Sequence, residues 1–489
     1  MPAIASMPKP MLQVSESGLA YVVVDTGQGK CYNNELETTC PQPGEPLFGQ
    51  DAQYAGIQPR YLDNGDGTVT DLNAGLMWQK DPRDKKTYAD AVKGTGLLDL
   101  GGYSDWRLPT IKELYSLILF SGTDVSPCMG GGTCNGVPFV DTIFFDFEYG
   151  DSASGERVID AQYWSATEYV GTTMGRDDTV FGVNFADGRI KGYPRDTGPR
   201  GEPFTAFVRY VRGNTTYGIN NIVDNGDGTI TDEATRLVWM QADSGTALNW
   251  QAALAYCVNL DYAEYDDWRL PDAKELQSIV DYSRSPATTR SAAIDPLFDV
   301  TAITSEKGEI DYPFYWSGTT HTNESGNGAF AVYVVFGEAM GYINNTWVDV
   351  HGAGAQRSDP KSGDPTAYSQ GHGPQGDAVR IHNYARCVRA GNVILDPDGT
   401  LNATRPSIAI ESGGNQQSQP GGMSGQGGPP PREALKACVG HNQGTSCQFA
   451  APQGAVVGTC ALIQQELACV PVGAQLGPRQ PSDLSPYRR

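Results

Sequence analysis

Two nearly identical acidic stretches, Asp63-Asn-Gly-Asp-Gly-Thr-Val-Thr-Asp71 and Asp224-Asn-Gly-Asp-Gly-Thr-Ile-Thr-Asp232, carry the residue types of a calcium loop. A helix-loop-helix calcium site needs oxygen ligands at alternating positions 1, 3 and 5 and a distant bidentate Glu. Here the acids stand at relative positions 1, 4 and 9, glycine occupies positions 3 and 5, and no Glu closes the loop. Asn-Gly and Asp-Gly between β-prone segments are instead strong hairpin signals, because Gly and Asn accept positive φ at little cost. Tight turns are the preferred reading, an irregular calcium site is the alternative, and no cofactor or metal is expected.

The other residues with chemical capacity also come in pairs. Glu113 and Glu275 have the type of general bases, but Thr110-x-x-Glu113 and Asp272-x-x-Glu275 read as capping boxes at helix starts. Arg107 and Arg269 each follow a Trp and precede such a helix, so they read as framework arginines held by stacking and a carboxylate. Ser165 and Ser317 lack a histidine at a fixed companion position. None of the five histidines precedes His321, which excludes a Ser/His or His-metal site from the first half of the chain. Gly371-His-Gly-Pro-Gln-Gly376 satisfies GxGxxG in letters, yet it holds a Pro and lacks a strand-turn-helix context. With no repeated nucleophile-base or metal constellation, an enzyme is not expected.

The ten cysteines fall as Cys31/Cys40, Cys128/Cys134, Cys257/Cys387 and a final set of Cys438, Cys447, Cys460 and Cys469. None has CxxC or Cys/His zinc spacing, so disulfides in an oxidising compartment are expected. The last four allow three connectivities.

These residues sit in a chain that states one pattern twice. GDGTVTDLNAGLMWQ from Gly65 recurs as GDGTITDEATRLVWMQ from Gly226, and YSDWRLPTIKELYSLI from Tyr103 recurs as YDDWRLPDAKELQSIV from Tyr265. Tyr163-Trp-Ser-Ala-Thr167 recurs as Tyr315-Trp-Ser-Gly-Thr319, and the end of FVRYVR at Arg212 matches that of ARCVR at Arg389. Four blocks in one order mean two homologous domains, placed at residues 61–213 and 222–391. Each is expected to open with a meander (Val69–Asp71 and Leu76–Gln79 in the first), followed by two short helices, at Thr87–Lys93 and after Thr110 in the first and at Asn249–Asn259 and after Asp272 in the second. Leu114, Leu117 and Ile118, matched by Leu276, Ile279 and Val280, form an i, i+3, i+4 core stripe. Cys257 and Cys387 correspond in the first copy to Thr95 and Tyr210. Both members are absent together, as a bonded helix-to-strand pair requires, and such a staple contributes about 2–4 kcal/mol.

Outside the repeats, residues 1–11 are read as a signal remnant or disordered segment, Ala3-Ile4-Ala5 having the small-x-small pattern of a cleavage site. Residues 12–60 are read as a β segment packing on the first repeat. Ile394–Ile410 is read as a small β segment, 411–432 as a Gly/Pro/Ser/Gln linker spanning on the order of 25 Å, 433–472 as a small Cys-rich module and 473–489 as a disordered tail. The fold class expected is α+β, two tandem β-rich domains plus a small disulfide-rich C-terminal module. A formal charge of −22 argues against nucleic acid. No apolar run reaches the roughly 18 residues of a membrane span.

The blocks DNGDGT…GLMWQ, DWRLPTIKEL, YWSATE and the closing VR strand resemble a widespread bacterial domain family named after the carboxy-terminal domain of the Legionella collagen-like (Lcl) adhesin. The likeness covers about Tyr61–Gly213 and Ile222–Gly391, and the opening VVVDTGQGKCYNN and FGQDAQY look like segments that often precede this domain. The resemblance implies a secreted or cell-surface domain related to the C-type-lectin-like fold, and in the adhesin it implies binding of sulfated glycans. The acidic balance does not favour a sulfated ligand, but local clusters exist: Arg189, Lys191, Arg195 and Arg200 in the first copy, His351, Arg357, Lys361 and His372 in the second. Trp347, in the long insertion of the second copy, offers a stacking face. Trp347, His351, Arg357, His372, Arg195 and Arg200 are the ligand-binding candidates. The expected function is a non-enzymatic, adhesin-like binder of glycans or extracellular proteins; the alternative is a structural or assembly component of the bacterial envelope.

Overall fold

The computed structural model describes residues 19–130, 134, 136–198, 201–403, 437–438, 445–451, 454–463 and 466–471. Each repeat opens with an antiparallel meander and returns to it at its end. In the first repeat Tyr61–Asp63, Thr68–Asp71 and Leu76–Gln79 are closed by Val211–Gly213; in the second Ile222–Asp224, Thr229–Asp232 and Leu237–Met240 are closed by Val388–Ala390.

The DNGDGT stretches are hairpin turns whose acids serve the backbone. Asp63 accepts from Gly65 N at 2.9 Å and pairs with Lys80 at 2.6 Å; Asp66 accepts from the Thr68 hydroxyl at 2.5 Å. Asp224 and Asp227 repeat the pattern with Gly226 and Thr229. Gly65 and Gly67 take φ of 71° and 85°, the left-handed region that side chains resist.

The helices form where capping residues stand. Tyr88–Gly94 and Trp250–Val258 begin behind Thr87 and Asn249, and Ile111–Ser116 and Ala273–Ser278 behind complete capping boxes. The stripe of Leu114, Leu117 and Ile118, and its counterpart Leu276, Ile279 and Val280, is buried throughout.

The repeats do not stand apart as separate bodies. A six-stranded antiparallel sheet runs in the order Phe314–His321, Phe330–Val335, Gln356–Pro360, Arg189–Pro194, Thr179–Asn184, Gln162–Glu168. That order is a palindrome: three strands from each repeat meet at the centre, where Gln356 pairs with Ile190. One hydrophobic core runs beneath it, holding Leu114 and Val183 of the first repeat with Leu276 and Val332 of the second. Two equivalent lysines cross the junction reciprocally. Lys112 Nζ donates to Ser278 O at 2.7 Å, at the end of the second repeat's helix, and Lys274 Nζ donates to Ser116 O at 3.0 Å, at the end of the first repeat's.

The segment before residue 61, expected on the first repeat, touches both. Thr26 O accepts from Phe120 N, while Asp51 accepts from the Thr319 hydroxyl at 2.6 Å and Gln28 exchanges hydrogen bonds with Thr320. Farther on, Ile394–Leu395 pairs with Tyr54–Ala55 and a short helix covers Thr400–Ala403.

Disulfides join Cys31 to Cys40, Cys128 to Cys134 and Cys257 to Cys387. Described residues up to 403 belong to one compact unit and those from 437 onward to another. In the second unit Ser446–Ala451, Gly454–Ile463 and Glu466–Pro471 form an antiparallel sheet. Cys438 bonds Cys460, which selects among the open connectivities, and Cys447 is also disulfide-bonded. Residues 1–11, the linker 411–432 and the tail 473–489 lie outside the described residues.

Candidate functional site

Most of the recurring polar residues are consumed by framework. Arg107 makes a two-point pair with the capping-box Glu113 at 2.7 and 2.5 Å, and Arg269 does the same with Glu275 at 2.5 and 2.6 Å. The closing-strand Arg212 lies 3.7 Å over the Tyr103 ring and bonds Asp105; Arg389 does so with Tyr265 and Asp267. Arg209 and Arg386, fully buried, donate to main-chain carbonyls of Gln79 and Asp146 or of Met240 and Asp299. Ser165 and Ser317 donate to the neighbouring strand at Phe181 O and Val332 O. Repetition in this chain marks architecture.

What does not repeat gathers at the seam. A cleft of about 990 Å³ lies over the two central strands, its floor formed by Arg189, Lys191 and Tyr193 of the first repeat and Arg357 and Asp359 of the second. Its walls come from the unmatched loops, Arg157 and Thr173–Asp177 on one side, Asn323–Asn327 and Tyr368–Asp377 on the other. Alternation explains the floor: Ile190, between Arg189 and Lys191, points into the shared core.

The charges of the floor are close and mutually engaged. Arg189 meets Asp124 at 2.8 Å and Asp187 at 3.6 Å, Lys191 also holds Asp187, and Arg357 holds Asp377. Burial pushes Lys191 down to about 8, against the pull of Asp187 and with the help of the neighbouring Arg357 and Arg189. Burial, reinforced by Arg189, lowers Arg357 to about 10.

His321 is stacked on Phe139 and donates from Nε2 to Asp187 O at 2.9 Å, leaving Nδ1 3.4 Å from the Ser358 hydroxyl. Burial and the Arg189 charge hold its pKa near 4. His351 is buried beside the cleft, donates from Nε2 to Asp377 at 3.0 Å and keeps Nδ1 without a hydrogen-bond partner.

Of the candidates read from sequence, Arg357 and His372 line this cleft, as do the clustered Arg189 and Lys191, and His351 adjoins it through Asp377. Trp347 packs instead on Tyr342 across its own hairpin, ring centres 5.2 Å apart. Arg195 is held by Asp178 at 2.6 Å outside the cleft. Arg200 lies outside the described residues. Lys361 is structural: it sits 4.0 Å over the Trp250 ring and donates to the Thr320 hydroxyl at 2.8 Å. Sequence reading missed Asp187, Tyr193, Asp377 and Tyr368; the period-2 pattern of Arg189, Lys191 and Tyr193 was the available signal.

Asp349 joins the repeats at the edge of this region, accepting from the Tyr169 hydroxyl at 2.8 Å. Burial raises its carboxyl to about 7. A carboxyl raised above its unfolded value of about 4 contributes stability that is complete below the lower value and is lost as pH rises through the higher one. The depressed His321 acts in the opposite sense, but only below about pH 6.5. The expected result is that Tm falls less steeply in Asp349→Asn than in the wild type between about pH 4 and about pH 7, His321 contributing equally to both. A slope equally steep in the variant would refute the assignment.

Among the described residues, Cys438, Cys447 and Cys460 come close enough to resemble a metal-ligand set, but all three are in disulfides. No helix among the described residues is long and apolar enough to cross a membrane. A family model described as the Lcl C-terminal domain matches residues 67–212 and 228–350, more than half of the chain. No curated protein and no solved structure matches the chain.

Proposed function

The chain belongs to the Lcl C-terminal domain family, with two copies of the domain, and from that premise we propose that it is a non-enzymatic, secreted or cell-surface protein that binds a glycan in the cleft between its repeats. The observation that carries this reading is the cleft. Its volume of about 990 Å³ falls within the size of small-ligand sites, and the variable loops rather than the repeated motifs wall it. A lectin-like use of the scaffold, with loops recognising sugar above a rigid sheet, belongs to the same proposal. Described cysteines are all bonded, which supports an oxidising compartment.

Hydrolysis is the less favoured chemistry. Ser358 and His321 approach each other, but an imidazole held near pKa 4 is a weak base at neutral pH, and its partner on the far nitrogen is a carbonyl rather than a carboxylate. An envelope component acting through protein contacts is the second reading, favoured by the formal charge of −22. A glycan array probed with the whole chain, paired with crosslinking in intact cells, tests the choice. The proposal expects retention on a set of glycans without a fixed protein partner; a fixed partner and an empty array reverse it.

A further inference from the structure

The chemistry of the cleft narrows the ligand further, given the glycan reading above. Each cation lining it already faces a carboxylate. Arg157 holds Asp160 at 2.7 Å, Arg176 lies 3.6 Å from Asp177, and Arg189 holds Asp124 at 2.8 Å. Lys191 and Arg357 are taken by Asp187 and Asp377. The two buried histidines add no charge, since burial holds both below their ordinary range. Asp359 brings a further carboxylate, engaged by the backbone N–H groups of Arg380 and Ile381. An incoming sulfate or carboxylate therefore meets cations whose charge is already balanced; the free donors Arg357 Nε and Nη1 belong to a guanidinium paired with Asp377, so an anion there lies beside a carboxylate, whereas a neutral hydroxyl can accept from them.

The remaining surface is of another kind. Ser126, Asn323, Asn327 and Gln375 add amide and hydroxyl side chains to its lining. Aromatic rings stand on both repeats: Tyr193 stacks on Phe204 at 5.6 Å, and Tyr368 meets His372 edge-on at 6.1 Å. A sugar hydroxyl donates to a carboxylate and accepts from a guanidinium at once, so it can join a paired network without breaking it, while the C–H face of the ring packs on an aromatic side chain.

We propose that the cleft takes a neutral, hydroxyl-rich oligosaccharide, in preference to a sulfated or otherwise anionic one. The test uses the full chain on arrayed oligosaccharides, each backbone present in neutral and O-sulfated form, read at about 50 and about 500 mM NaCl. The expected result is a neutral member bound about tenfold more tightly than its sulfated twin, with less than about a twofold change between the salts. Phe204→Ala and Tyr368→Ala, at partly exposed positions, each weaken that binding about tenfold with Tm as the folding control. Asp377→Asn releases Arg357 and moves the preference about tenfold toward the sulfated member. Wild-type preference for sulfated members with steep salt dependence overturns this inference and leaves the glycan reading standing. An array with no retained member, with a fixed protein partner crosslinked in cells, overturns the reading itself.

Discussion

Replacing Lys274 by methionine destabilises the protein by about 3–5 kcal/mol near pH 7, where the lysine is charged, the range for removing one partner from a buried charge network. Lys274 is buried, and its ammonium donates to Asp25 O at 2.9 Å and Ser116 O at 3.0 Å. Methionine keeps the stem and loses both bonds, leaving two carbonyls without their donor at the junction of the repeats. It also removes a positive charge that attracts several buried acids. Burial holds Lys274 down at about 8, against the attraction of Asp272, Asp25, Asp71 and Asp51. Burial and Asp25 in turn raise Asp51 to about 7, so at about pH 5 that acid takes a proton and the loss shrinks. Lys112→Met costs less, about 1–3 kcal/mol, because only Asp232 and Asp281 attract its charge, against four aspartates around Lys274. Urea unfolding of both variants at the two pH values decides the matter. A Lys274→Met midpoint indistinguishable from wild type at pH 7 would show that the reciprocal lysines do not hold the repeats together.

Removing the Cys257–Cys387 bridge by a double substitution to serine is expected to lower stability by about 2–4 kcal/mol, toward the upper end because loop closure entropy grows with the span enclosed. The two cysteines are 130 residues apart, so the bridge restrains most of the second repeat in the unfolded chain. In the folded state it ties the helix Trp250–Val258 to the returning strand beside Met240. The first repeat solves the same problem without sulfur. There Tyr210 reaches from the strand to Ala91 O at 2.8 Å, and the tyrosine lies so close that a Cβ at Gly94 would strike its hydroxyl. Equilibrium unfolding in guanidinium, followed by tryptophan fluorescence, gives the comparison; a double variant within about 0.5 kcal/mol of wild type would mean that packing alone holds this helix.

Much of the framework was legible in the residues because its causes are local. Asp-Asn-Gly-Asp-Gly determines a turn through backbone conformation and hydrogen bonds within a few positions, and Thr110 or Asp272 with a glutamate three residues on determines a helix start in the same way. Pairwise absence of Cys257 and Cys387 from the first copy was enough to bond them. The family assignment stands on the same short blocks, and the α+β class follows from them.

The turns, caps, repeats and the Cys257–Cys387 bridge were thus determined by sequence alone, whereas the last four cysteines stayed open until Cys438 was seen bonded to Cys460. Tertiary structure decided how the copies meet, since nothing in Arg189–Pro194 or Gln356–Pro360 by itself says that these strands pair with each other and merge two cores. It also decided that Lys112 and Lys274 exchange helix ends, and that Arg357 and His372 share a cleft with Arg189 and Lys191 while Trp347 and Arg195 do not. The physical reason is range: turns and caps are satisfied by neighbours along the chain, whereas the seam joins Gln356 to Ile190 and Lys274 to Ser116, groups more than a hundred residues apart that meet only when the sheet has closed.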